Sequence, residues 1–130
     1  MKKLFIISIV FLMAGICFGQ EEKQKTLFVN GKDINKLGLE YIEISCYTTS
    51  MYGKNWAVNF DIGEEYVNWK GHRYTDENGN VIDFESPMDA VNFVIKCGWE
   101  FVSNNGGAAG NVTNLYYLMR KKKTLIKENP

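Results

Sequence analysis

Most of this chain alternates apolar and polar side chains with a period of two, and one stretch switches to the helical period. Within 39–49, Ile42, Ile44 and Cys46 alternate with Tyr41, Glu43, Ser45 and Tyr47, the pattern of a strand with one buried face. Trp56, Val58, Phe60 and Ile62 repeat it after a short connection at 50–54, so the two segments are expected to pair antiparallel. A shorter strand is expected at 26–29, closed by the turn pair Asn30-Gly31. The aromatic-rich stretch 66–74 reads as extended, and the turn Asp76-Glu77-Asn78-Gly79-Asn80 leads into a short strand at 81–84. Two further strands are expected at 99–102 and 112–120, the latter with Leu115, Tyr117 and Met119 alternating against Tyr116, Leu118 and Arg120. The glycine-rich run 104–111 between them reads as a flexible hairpin tip, from which Asn105 and Asn111 would reach a ligand.

The helical period governs 87–97, where Ala90, Val91, Phe93, Val94 and Cys97 form one apolar stripe. Ser86 suits the N-cap, Pro87 the first turn, and Asp89 the third position after the cap. Gly98 stands where a left-handed residue ends a helix. One helix and five to seven strands joined by short connections predict an α+β fold, a mostly antiparallel sheet with the helix packed on one face. The 130 residues suffice for one domain, expected over 27–123 between a disordered lead-in at 20–26 and a polar tail at 124–130.

The N-terminus follows a different rule. Lys2 and Lys3 precede an apolar run over 4–14 broken only by Ser8, and Cys17-Phe18-Gly19 places small residues around a cleavage after Gly19. This is the anatomy of a secretory signal peptide over 1–19, and the run is short of the ~20 residues that span a bilayer. No stable membrane span is expected once it is cleaved. Lipid attachment at Cys17 is disfavoured by the bulky Ile16 before it, and an uncleaved anchor by the length of the run. The expected location is therefore the periplasm or the exterior. Two of the fifteen basic residues leave with the leader, so thirteen face fifteen acidic ones, a net charge of −2. That balance speaks against a nucleic-acid partner.

The residues that could carry chemistry are few. Export leaves Cys46 and Cys97, both on core-facing positions. They would either bridge, closing a loop worth about 3–4 kcal/mol, or stay reduced as small hydrophobes. His72, the single histidine, lies between Gly71 and Arg73 and reads as a solvated surface residue, which removes histidine-based triads and zinc sites. The carboxylates and amides over 76–85 fit a hairpin better than a calcium loop, and 105–110 lacks the Lys-Ser/Thr of a phosphate loop. No pattern calls for a metal or a cofactor. The basic run 120–123 reads as solubilising charge at the end of an outer strand. Trp56 and Trp99 fall on apolar patterns and belong to the core. Tyr47, Tyr52, Tyr66 and Trp69 have weaker core claims and are candidate contact residues for a protein or a glycan.

Several stretches together carry a family likeness: 58–63, Asp76-Glu77-Asn78-Gly79, Ser86, Asp89-Ala90-Val91-Asn92-Phe93, Gly98-Trp99-Glu100-Phe101-Val102 and 116–121. In these the chain resembles a family of small exported bacterial proteins of unknown function, whose helix is followed by Gly-Trp-Glu and a basic-ended final strand. The resemblance implies one sheet-plus-helix domain and supplies no activity, cofactor or catalytic residue. The expected function is a non-catalytic binding module with an unknown protein or glycan partner. Its alternatives are an immunity- or inhibitor-type protein against an envelope-targeting toxin, a hydrolase using Asp61, Glu64 or Glu65, and a structural component of the envelope.

Overall fold

The computed structural model describes residues 22–48, 55–64 and 72–124. The leader, the stretch 66–71 and residues 125–130 of the tail lie outside these. The described residues form β1 (Phe28–Val29), β2 (Lys32–Asp33), β3 (Tyr41–Thr48), β4 (Trp56–Asp61), β5 (Tyr74–Thr75), α1 (Pro87–Lys96), β6 (Trp99–Ala109) and β7 (Val112–Lys121). The fold is α+β with antiparallel strands, as the period predicts. The strands divide between two sheets, one of order β4-β3-β7-β6 and a smaller one of order β2-β1-β5.

Register sorts the side chains of the larger sheet into two faces. Ile44 stands opposite Phe60 on β4 and Tyr117 on β7, and Ile42 stands opposite Met119. All five are buried, and Ala90, Val91 and Val94 of the helix join them in one core with Leu27, Val29 and Ile34. Burying each such aliphatic or aromatic side chain stabilises the fold by roughly 1.5–3 kcal/mol. The helix starts as its sequence signals require: Ser86 Oγ accepts the Asp89 N–H at 3.1 Å, and Asp89 Oδ2 reaches back to the Glu85 N–H at 3.3 Å. It ends at Gly98, whose φ of +94° is left-handed.

Three expectations change. Residues 81–84 do not form a strand; Val81 makes a single bridge to Thr75, because β5 offers only two residues as a template. The Asp76 carboxylate closes this turn by accepting the backbone N–H groups of Asn78 and Asn80 at 2.8 and 2.9 Å. The Asn80 side chain adds a third bond, and these hydrogen bonds lower the Asp76 pKa. The run 104–111 is not a loop. Most of it belongs to β6, and the turn shrinks to Gly110-Asn111. Glycine serves close approach here, since a Cβ on Gly106 would lie 2.8 Å from Leu115 Cδ2. Finally, part of the expected lead-in is tied down: Gln24 Nε2 donates to Cys97 O at 2.7 Å and Lys25 N to Lys96 O at 3.0 Å. The last carbonyls of the helix are thereby capped.

Candidate functional site

The helix packs on one side of the larger sheet, and among the described residues no helix covers the opposite side. Its residues follow from the odd positions of β3 and their partners. Glu43 faces Asp61 and Leu118, Ser45 faces Asn59 and Tyr116, and Tyr47 faces Ala57 and Asn114. On β6 the same face carries Glu100, Ser103 and Asn105, with Val102 displaced as a bulge. Tyr41 and Tyr116 are exposed large side chains on this face. Tyrosine, serine and asparagine on a rigid support make a surface suited to adaptable polar and aromatic contact.

A cleft of about 260 Å³ opens at one end of this face. Glu43, Ser45, Asn59, Asp61 and Tyr116 line it from the sheet, and Asn30, Glu64 and His72 close it from the side. Asp61 Oδ1 accepts the Gly63 N–H at 2.9 Å, and Glu64 pairs with Lys32. Glu43 and Asp61 stand directly across the strand pair, where like charges cost some stability. His72, expected as a solvated surface residue, is half-buried at the cleft wall with its ring edge-on to Tyr74. Two residues on, Tyr74 packs edge-on against Phe60 of β4, which keeps this part of the chain beside the strand. The described residues hold no group of three or more histidine, cysteine or acidic side chains able to take a metal ion. None of their helices is long and apolar enough to cross a membrane.

The structure separates the residues expected as contacts. Tyr47 is half-buried on the face opposite the helix, beside β4. Asn105 is exposed on β6, where its Oδ1 accepts the Gly106 N–H at 2.8 Å, and Asn111 is exposed in the β6–β7 turn, far along the strand. Tyr52, Tyr66, Trp69 and Glu65 lie outside the described residues. Trp99 is wholly buried and donates from Nε1 to Asn35 Oδ1 at 2.8 Å, whereas Trp56 packs only partly against the core. Cys46 and Cys97 are free, buried thiols, so the bridge that their positions would permit is not made. Burial pushes both up to about 12 and leaves them protonated at neutral pH. Arg120 is held by Glu100 across the strand pair at 2.6 Å, and β7 lies between β3 and β6, so the basic run does not end an outer strand as expected.

Reading by sequence missed Glu43, His72 and Tyr116 as neighbours of Asp61. The outward position of Glu43 and Tyr116 is visible in the alternation, but their meeting depends on strand register. No protein-family model, curated protein or solved structure matches this chain.

Proposed function

We propose that the chain is a small exported binding module, and that it engages its partner through the face of the larger sheet opposite the helix. The observation that carries this reading is the composition of that face: Tyr41, Tyr47 and Tyr116 among Ser45, Asn59 and Asn105, on the side of the sheet away from α1. Such a face supplies contact area at low entropic cost from tyrosine and adaptable hydrogen bonds from the amides and hydroxyls.

A photoreactive phenylalanine analogue placed at Tyr116, and separately at Met88 on the exposed side of the helix, tests this in the protein's own host. A defined crosslinked species from position 116 and none from position 88 is the expected result. Equal crosslinking from both positions overturns the reading, as does none from 116 together with a blank glycan array.

A second reading, a carboxylate-dependent hydrolase, is favoured by the register that sets Glu43 against Asp61 in a cleft also lined by His72. Paired carboxylates are the minimum equipment for glycoside hydrolysis. Turnover of a glycan or peptide substrate that disappears in both Asp61→Asn and Glu43→Gln would establish it. A substrate panel left intact removes it.

A further inference from the structure

A second cleft runs along the free side of β4 and meets the acidic one at Asn59. About 150 Å³ is enclosed by β4 and the segment 82–84, with Tyr47, Trp56, Asn59, Tyr74, Asp83 and Phe84 among its lining. An adjoining depression of about 480 Å³ shares Trp56, Asp83 and Phe84 and adds Asn55 and Glu85, so the two form one trough. Behind it stands a fixed aromatic wall. Phe60, Tyr74 and Phe84 meet with centroids 5.0 to 6.0 Å apart, and Phe93 backs Phe84 at 5.8 Å. We propose that this trough is a binding site for a neutral oligosaccharide.

Three features select that occupant. Phe60 and Phe84 are buried behind the trough, and the half-buried aromatic side chains that line it, Tyr47, Trp56 and Tyr74, offer apolar surface to the C–H faces of a pyranose. The rim is rich in acceptors, with the carboxylates of Asp83 and Glu85 beside the amides of Asn55 and Asn59, which matches the many hydroxyl donors of a sugar. The carboxylates of Asp83 and Glu85 at the rim disfavour an anionic polysaccharide. An extended peptide added to the edge of β4 fits less well, because the Tyr74 hydroxyl already donates to the Val58 carbonyl at 3.1 Å. Burial also pushes the Tyr74 phenol up to about 12, so it stays a donor throughout the physiological range.

Calorimetry with cellotriose, maltotriose and chitotriose as probes, and trigalacturonate as the anionic comparison, tests the proposal on the purified protein. At least one neutral trimer should bind in the millimolar range or tighter, with trigalacturonate silent. Asp83→Ala, at an exposed position, should weaken that binding by about tenfold or more, a loss of one hydrogen-bonded contact. Trp56→Ala should abolish it, and Asn92→Ala on the exposed side of the helix should leave it unchanged. Silence from all three neutral trimers overturns the proposal, as does equal binding of trigalacturonate or an unaltered affinity in Asp83→Ala. Asp83 is not part of the face opposite the helix, so this experiment fails or succeeds independently of crosslinking at position 116.

Discussion

At the scale of single residues, Asn35 does the most to join distant parts of the chain. Its Oδ1 accepts from Trp99 Nε1, its Nδ2 donates to Cys97 O at 3.0 Å, and its backbone carbonyl takes Lys121 Nζ at 2.6 Å. Trp99 is fully buried, so truncating Asn35 removes the acceptor of a buried indole N–H. Asn35→Ala should therefore cost about 1–3 kcal/mol in urea denaturation, with Asn35→Asp less damaging because it keeps an acceptor for the indole. A loss within error would mean that the indole finds another partner. The two thiols make a second test at this scale. With both pushed up to about 12 by burial, neither should react with a disulfide reagent at mildly alkaline pH in the folded protein, and both should react in urea. Rapid reaction of the native protein would contradict their burial. The importance of Asn35 was not legible in the sequence, where it is one polar residue in a turn. The partners that give it meaning lie 62 and 64 residues away.

At the scale of elements, the helix and the β6–β7 hairpin differ in how far local chemistry specifies them. Every signal that places α1 sits within its own segment, from Ser86 and Pro87 to Gly98, and the observed bounds follow. The hairpin inverts the usual meaning of glycine. Strand propensity alone would make Gly106→Val stabilising. Packing says the opposite, because the new Cβ would crowd the Asn114 backbone oxygen at 3.2 Å as well as Leu115 Cδ2, and we expect a loss of roughly 1–3 kcal/mol. Gly107→Val, where a Cβ meets nothing within 4 Å, should be neutral or favourable. Thermal melts of the pair decide it, and equal effects at both positions would show that close approach is not what requires glycine at 106.

At the scale of the whole molecule, the four-stranded sheet has two outer strands, and side chains occupy backbone groups on each. Tyr74 takes the Val58 carbonyl on β4, and Asn105 takes the Gly106 N–H on β6, where the bulge at Val102 also breaks the ladder. Such devices blunt a strand that would otherwise template another chain, and β6 carries no charge from Phe101 to Ala109 to do that work. Asn105→Val should accordingly increase self-association with protein concentration in sedimentation velocity, and unchanged sedimentation would show that the bulge alone suffices. The sequence by itself determined the α+β class, the alternating faces of β3, β4 and β7, and both ends of the helix. These depend on periodicity and capping, which act over a few neighbouring residues. Only the tertiary structure decided that the strands form two sheets, that 104–109 extend β6, that Glu43 meets Asp61, and that Trp56 lines a trough with Asp83. Those facts depend on which strands become neighbours and in what register, and register is set by contacts between segments far apart in the chain.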